Sequence, residues 1–166
     1  MEEQINTNIK SYLSFKLGEE VFAAGVKNVL NILEMVKITE VPKAPDYMKG
    51  VINLRGAVLP VIDTRIKFGM EESEFTKDTC IVVCEVDQDG EEVKVGAIVD
   101  AVKEVIEIDD KDILPPPGIG NKYKSEFITG VIHLDEQFIL KLDMNKVFST
   151  DELVMLQNNQ NETNNE

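Results

Sequence analysis

The sequence has no tryptophan, one histidine and two cysteines among its 166 residues. A histidine-rich metal site and a cysteine cluster are therefore excluded, and we predict no metal site. Cys80 and Cys84 lie in a predicted strand, where four residues span about 13 Å, whereas a disulfide needs α-carbons within about 7 Å. We predict that the two cysteines are unbridged, small apolar residues on one strand face.

Basic residues and long apolar runs are also scarce. The chain carries 17 Lys and Arg against 31 Asp and Glu, a net charge of −14, and only 6% aromatic residues. This balance disfavours nucleic acid and anionic membrane surfaces as partners, and base stacking as a binding mode. No apolar run approaches the roughly 20 residues of a membrane helix, and no signal-peptide pattern opens the chain. We expect a soluble, cytoplasmic protein.

Sequence motifs of catalysis are missing as well. We find no GxSxG, no GxxxxGK[ST], no GxGxxG, and no cysteine with a histidine partner signal. His133 falls at a strand position and is predicted to be structural or exposed. The acidic stretch after Asp87 fits a hairpin turn better than a calcium loop. We therefore predict no catalytic residues, no cofactor and no enzyme activity.

What the chain does have is an internal repeat. Residues 47–65 align without gaps with residues 127–145, and residues 19–26 resemble residues 91–98. Each copy reads as a five-stranded unit, and a unit of that size buries little apolar surface alone. We therefore predict an all-β protein of two packed five-stranded β-barrels, with a cleft between them as a natural binding site.

Turn and helix signals complete this prediction. A hairpin is expected across Arg55 and Gly56, and one helical turn is expected between Pro45 and Gly50. A short C-terminal helix is predicted to begin at Thr150 or Asp151. The polar tail 157–166 is predicted to be disordered.

The stretch "GVINLRGAVLPVIDTRIKFG" at 50–69 resembles the CheW family of bacterial chemotaxis, with Thr64 where the family usually has Leu. "VGAIVDAVKEVIEI" at 95–108 and "FITGVIHLDEQFILKLDMNKVF" at 127–148 resemble two further family blocks. The resemblance covers about residues 10–156. It implies a CheW-like fold of two SH3-like barrels, the first about 12–85 and the second about 86–148, with terminal strands free to cross over.

The resemblance also implies a function. CheW-like proteins are non-catalytic adaptors that couple chemoreceptors (methyl-accepting chemotaxis proteins) to the histidine kinase CheA, whose regulatory domain shares the fold. The expected partners are thus that regulatory domain and the cytoplasmic receptor tips, in arrays beneath the membrane but without membrane insertion. The alternatives are an adaptor of another CheA-type pathway, such as twitching motility, and a small-ligand-binding β-barrel.

Site residues are carried over from the family position by position. The resemblance implies receptor binding by Gly50, Arg55, Gly96, Val102 and Val105. It implies kinase binding by Val29, Asn31, Leu114 and Ile119. Asn31 stands where the family often has Glu, and Leu114 and Ile119 stand where a compared member has Arg and Phe, which favours a more apolar contact here.

The sequence leaves two interpretations open for Arg55 and two for Val29, Val102 and Val105. Arg55 is either a turn residue whose stem covers apolar surface or a partner-binding guanidinium, with Glu34 and Glu40 as candidate neighbours. Asp135 occupies the same place in the second copy, so the fold does not require arginine there. The three valines are either core residues or the lining of an open groove. Gly50 is expected to end the helical turn.

Overall fold

A computed structural model describes residues 8–116 and 125–148 of the chain, and strands dominate it. Two short helices, α1 (Thr64–Lys67) and α2 (Met144–Val147), each follow the last strand of one repeat. The strands are β1 (Ile9–Leu17), β2 (Glu20–Gly25), β3 (Val29–Glu34), β4 (Met48–Leu54), β5 (Ala57–Asp63), β6 (Cys80–Gln88), β7 (Glu91–Val99), β8 (Ala101–Asp109), β9 (Ile113–Leu114), β10 (Ile128–Leu134) and β11 (Gln137–Leu142).

The strands form two sheets, and in each sheet the chain crosses from one edge strand to the opposite edge. Barrel 1 has the order β3-β6-β7-β5-β4, and barrel 2 has the order β8-β1-β2-β11-β10-β9. In barrel 2 the chain runs from β8 through a 3₁₀ turn at Asp110–Asp112 into β9, which lies at the opposite edge. In barrel 1 the chain after β3 reaches the opposite edge at a bridge between Thr39 and Val51. The predicted fold class, an all-β protein of two packed barrels, is confirmed; barrel 1 has the five strands expected, and barrel 2 has a sixth, the two-residue β9.

The two barrels exchange their first two strands. In repeat order, β1 and β2 correspond to β6 and β7, yet β1 and β2 complete barrel 2 and β6 and β7 complete barrel 1. The sheets therefore do not divide near residue 85, the boundary expected from the resemblance. Because both copies carry the same apolar pattern, the repeat alone cannot tell which copy a given hairpin joins.

The sequence alignment of residues 19–26 with residues 91–98 differs by one residue from the register in the structure. Ala24 pairs with Leu142, and Ala97 pairs with Ile62, the counterpart of Leu142 in the hairpin repeat. Ala24 therefore corresponds to Ala97, whereas the sequence alignment placed it opposite Gly96. A one-residue slip moves each side chain to the other face of the sheet, so the structure assigns these strands to the opposite faces from those implied by the alignment.

The four exchanged strands are buried on both faces. Along β6, Ile81 and Val83 face the interior of barrel 1, and Val82 and Cys84 face a core shared by the two barrels. We call that shared cluster the interbarrel core. Burial on both faces explains why β6 and the second half of β7 read as apolar runs, whereas β1 alternates between polar and apolar residues. The interbarrel core contains a chain of phenylalanine contacts with ring centroids 5.5 to 6.0 Å apart: Phe15, Phe22, Phe68 and Phe127.

An ion pair joins the barrels at the edge of this core. Asp63 caps α1 by accepting hydrogen bonds from the backbone N–H groups of the next turn, which fixes the direction of Arg65. Arg65 Nη2 lies 2.6 Å from Asp100 Oδ2, and Arg65 Nε donates to Oδ1 at 2.9 Å. The backbone N–H of Gly18, in the β1–β2 turn of barrel 2, donates to the same carboxylate at 2.6 Å. The carboxylate therefore links α1, the end of β7 and the β1–β2 turn.

This link predicts a pH dependence of stability. Burial alone would raise the pKa of Asp100, but hydrogen bonds from Arg65 and Gly18 outweigh burial and hold it below its usual value. A carboxyl whose pKa is lower in the folded than in the unfolded state stabilises the fold above its unfolded pKa, and this contribution is lost as pH falls through the folded pKa. We expect the melting-temperature difference between the protein and Asp100→Asn to shrink on acidification through the usual carboxyl range. A difference that stays constant from neutral to acid pH would contradict this. Asp63, whose pKa burial raises, is present in both proteins and cancels in the comparison.

Some local predictions held and others did not. Cys80 and Cys84 are free thiols, and both contact the interbarrel core, as predicted. The helical turn before Gly50 is absent: Met48 N–H donates to the Pro45 carbonyl in a tight turn, and β4 begins at Met48. The C-terminal helix and the 157–166 tail lie outside the described residues.

Candidate partner-binding surfaces

The hairpin that carries Arg55 is a tight two-residue turn. Arg55 and Gly56 both have positive φ, 53° and 88°, which is the geometry of a type I′ turn. The Asn53 side-chain oxygen accepts a hydrogen bond from Gly56 N–H at 2.8 Å. Asp135 and Glu136 make the equivalent turn in barrel 2, with φ of 52° and 62°. The turn geometry therefore does not depend on an arginine.

Arg55 lies exposed at the edge of a small recess in barrel 1. The recess brings Asn31 and Arg55 together, although the resemblance assigned them to different partners. Lys94 supplies a second cation, and neither Glu34 nor Glu40 lines the recess. Arg55 makes no ion pair with a described residue, so its charge is available to a partner. We call this the Arg55 recess; it is lined by Leu30, Asn31, Leu54, Arg55, Val83 and Lys94.

Strand β3 forms one side of the Arg55 recess and is an edge strand of barrel 1. It pairs with β6 only, so its other edge is unpaired within the described part of the chain. Leu30 and Ile32 are 47% and 43% exposed, whereas Val29 is half-buried against the interbarrel core. Such an edge can add a strand or an apolar surface from a partner. Sequence reasoning selected Val29 and missed the two exposed residues beside it.

Strand β8 is the corresponding edge strand of barrel 2. Val105 is 58% exposed and follows Glu104, whereas Val102 is half-buried against the interbarrel core. Val105 is therefore free for a partner, and Val102 is primarily a core residue. The resemblance treated them alike, because both match family positions that line a receptor-facing groove.

The two glycines assigned to receptor binding are buried. Gly96 belongs to β7 of barrel 1, not to the second barrel, and an added Cβ there would lie 2.8 Å from the Ile81 side chain. Gly96 therefore packs inside barrel 1 and does not line a surface groove. Gly50 has φ of 148° and lies beneath Thr39, whose carbonyl oxygen an added Cβ would overlap. Gly50 therefore serves the chain crossing that closes barrel 1.

The far side of barrel 2 presents other apolar groups. Leu114 is 48% exposed on β9 and pairs with Val131, and Ile119 lies outside the described residues. Phe138 is 58% exposed and stacks on the exposed ring of His133, with ring centroids 4.7 Å apart. His133 is thus an exposed strand residue, as predicted. Sequence reasoning missed Phe138, although its repeat counterpart Val58 is similarly exposed, at 56%.

None of these surfaces resembles a catalytic centre. Among residues 8–116 and 125–148, no three His, Cys, Asp or Glu side chains are grouped to hold a metal ion. Burial raises the pKa of the Cys84 thiol to about 12, so this thiol is not a nucleophile near neutral pH. In the described chain, neither short helix nor any other has the length and apolarity to cross a bilayer. The surfaces available to a partner consist of exposed apolar side chains on edge strands, with isolated charged side chains beside them.

Comparisons with known proteins identify the family of the chain. The profile described as CheW-like domain matches residues 11–152. Chemotaxis protein CheW of Rhizobium meliloti is 34% identical over 143 residues, which cover 86% of this chain and 90% of that protein. Chemotaxis protein CheW of Klebsiella aerogenes is 31% identical over 149 residues, covering 90% of this chain and 87% of that protein.

A solved structure shares the architecture. The crystal structure of the scaffolding protein TtCheW from Thermoanaerobacter tengcongensis superposes with a TM-score of 0.76 at 34% sequence identity, covering 86% of this chain and 94% of that one. The sequence and fold comparisons thus agree over nearly the same residues. The chain belongs to the CheW-like family of non-catalytic scaffold proteins of chemotaxis.

Proposed function

We propose that this protein holds cytoplasmic chemoreceptor tips and the regulatory domain of a CheA-type histidine kinase together within membrane-associated receptor arrays. Family membership supports the scaffold role, and the exposed apolar edges on different barrels support two partners. The observation that carries the proposal is this pair of edges, Leu30 and Ile32 on β3 and Val105 on β8. Exposed apolar groups at strand edges favour partner surfaces over solvent.

The kinase surface in this proposal includes the unpaired edge of β3. Leu30, Ile32 and Asn31 would contact a regulatory domain of similar fold, with Val29 supporting the strand from within. Leu114 on β9 would belong to a second kinase contact on barrel 2, together with Ile119. The exposed leucine there suits an apolar contact.

The receptor contacts include Val105 on barrel 2 and, separately, Arg55 on barrel 1, which shares a recess with the kinase-facing Leu30 and Asn31. Val105 offers an apolar contact to a helical partner, and the Arg55 guanidinium can bind carboxylate or backbone oxygens. Gly50 and Val102 would act on this surface indirectly, through barrel closure and packing. Gly96 would likewise act only through the packing of barrel 1.

Replacing Val105 tests the receptor surface most directly. We expect Val105→Glu to weaken binding of a receptor-tip fragment at least about tenfold, or about 1.4 kcal/mol, because it places a charge in an apolar contact. The melting curve by circular dichroism should stay unchanged because the side chain is exposed. The matched variant Val102→Glu should instead lower the melting temperature, since it buries a charge in the interbarrel core. Unchanged receptor binding by Val105→Glu would contradict the proposal.

Replacing Arg55 should impair control of the kinase by the receptor without impairing the folding of the protein. Arg55→Ala should reduce receptor-dependent control of kinase activity severalfold and change stability by no more than about 0.5 kcal/mol. Asp135→Ala, at the equivalent turn of barrel 2, is the matched control and should leave control intact. Separate pull-downs with receptor tip and regulatory domain identify the weakened contact. Normal signalling by Arg55→Ala, or weakening of the kinase contact alone, would argue against this role.

A further inference from the structure

A basic recess lies on barrel 2, beside the 3₁₀ turn that precedes β3. It forms where β1, β2 and β11 meet the 3₁₀ turn Val26–Asn28 and α2, and has a volume of about 600 Å³. We call it the lysine recess, because three lysines line it in a chain whose net charge is −14. Its lining is Lys10, Ser11, Tyr12, Gly25, Val26, Lys27, Asn28, Lys141, Leu142, Asp143, Met144 and Asn145.

The positive charge of this recess is only partly neutralised. Lys141 Nζ donates to a threonine hydroxyl at 3.0 Å and lies 5.9 Å from the Tyr12 ring centroid, so its partners are uncharged. Lys10 Nζ lies 3.3 Å from Asp110, in a pair whose side chains are 60% and 44% exposed. Lys27 is exposed and makes no ion pair with any described residue. The recess can therefore accept a carboxylate.

The repeat shows what fills the equivalent position in barrel 1. There Arg65, two residues after the capping Asp63, extends to Asp100 and closes the region with an ion pair. Because Ala24 corresponds to Ala97, Lys27 occupies the position in barrel 2 that Asp100 occupies in barrel 1. In the same way, the hairpin repeat places Asn145 at the position of Arg65. The Asn145 side chain turns to the backbone N–H of Asp87 at 2.9 Å. Barrel 2 thus has a lysine where barrel 1 has an aspartate, and Asp143, the N-cap of α2, is the one acidic residue among the described residues that line the recess with the three lysines.

We propose that the acidic segment "STDELVML" at 149–156 docks in the lysine recess, with the carboxylates of Asp151 and Glu152 on its lysines. The length of chain between the recess and this segment allows the segment to reach it. Asn145 lines the recess, and Phe148 follows within about 5 Å along α2, at about 1.5 Å per residue. Three further residues reach at most about 10 Å beyond Phe148, which is enough to return Asp151 to the recess.

The composition of the segment also fits the recess. Its two acidic residues are followed by four apolar residues, and the recess combines lysines with the apolar groups Val26, Leu142 and Met144. The N-terminal segment 1–7 also carries two glutamates, Glu2 and Glu3, eight and seven residues before Lys10 in the sequence. It has only one internal apolar residue, Ile5. It is the alternative occupant that the experiment must distinguish.

Amide NMR of the full-length protein tests the docking. The variant Asp151→Lys/Glu152→Lys should shift the resonances of the 3₁₀ turn Val26–Asn28 and of Leu142–Asn145, and should leave the distant Arg55 turn unmoved. The matched variant Glu162→Lys/Glu166→Lys makes the same charge change further along the tail and should shift neither region. Adding Lys27→Glu to the first variant should return the resonances of Leu142–Asn145 toward their original positions. The wild-type resonances should move the same way in 1 M salt, where screening acts over only about 3 Å.

Four results would overturn the proposal. They are no shift at the recess in the Asp151/Glu152 variant, equal shifts in the matched variant, shifts produced instead by Glu2→Lys/Glu3→Lys, and shifts that depend on protein concentration. The third would assign the recess to the N-terminal segment, and the fourth would assign it to the tail of a second copy.

Discussion

Gly50→Ala is expected to lower the free energy of unfolding by more than about 3 kcal/mol. An added methyl would overlap the Thr39 carbonyl oxygen and lie 2.9 Å from the Ile38 side chain. Thr39 exchanges two backbone hydrogen bonds with Val51, at 2.9 and 2.8 Å, and these close barrel 1. Relief of the overlap must therefore open the barrel, because the obstructing atom is backbone.

The control for this prediction is Gly56→Ala. Gly56 also has positive φ, but an added Cβ would meet no atom within 4 Å. Its substitution should cost only the backbone strain of a left-handed residue, about 1–2 kcal/mol. Urea unfolding measures both variants. Equal losses would show that backbone strain, not the chain crossing, sets the requirement at Gly50, and would contradict this account.

Arg65→Ala should destabilise the protein by about 2–3 kcal/mol, the range for hydrogen bonds to a charged group that is left partly buried. The substitution removes the guanidinium from Asp100 and leaves only the Gly18 N–H among its described hydrogen-bond donors. The matched variant Arg55→Ala removes an exposed guanidinium and should cost no more than about 0.5 kcal/mol.

A double-mutant cycle separates the ion pair from other contacts of Arg65. If the pair carries the effect, Arg65→Ala in an Asp100→Ala background should cost clearly less than in the wild type. Equal costs in the two backgrounds would assign the loss to the other contacts of Arg65, such as the Glu71 carbonyl at 3.1 Å. Together with the Gly50 comparison, this cycle distinguishes residues that close or join the barrels, such as Gly50 and Arg65, from residues that face partners, such as Arg55.

Much of the fold could be predicted because the repeat is local and strongly patterned. The hairpin turns at Arg55–Gly56 and Asp135–Glu136, the two five-stranded units and the free cysteines all followed from residues near one another in sequence. The strand exchange could not be predicted, since β1 and β6 hold equivalent places in the two copies and the repeat does not say which barrel each strand completes. The one-residue register error at Ala24 arises because small apolar residues in succession do not distinguish the two faces of a sheet.

The candidate surfaces were predictable only in part. Resemblance selected strands β3 and β8, but burial within each strand decides which residue a partner can contact. Val105 is exposed where Val102 is not, and Leu30 and Ile32 are exposed where Val29 is not. That distinction depends on the interbarrel core, which includes residues distant in sequence.

The central claim is that one passive protein binds a receptor and a kinase at once, through different surfaces. Light scattering on a size-exclusion column, with this protein, a receptor-tip fragment and a CheA-type regulatory domain mixed together, tests it directly. We predict a complex that contains all three, with Val105→Glu losing only the receptor fragment and Ile32→Glu losing only the kinase domain. Displacement of one partner by the other, or failure to retain either, would contradict the claim.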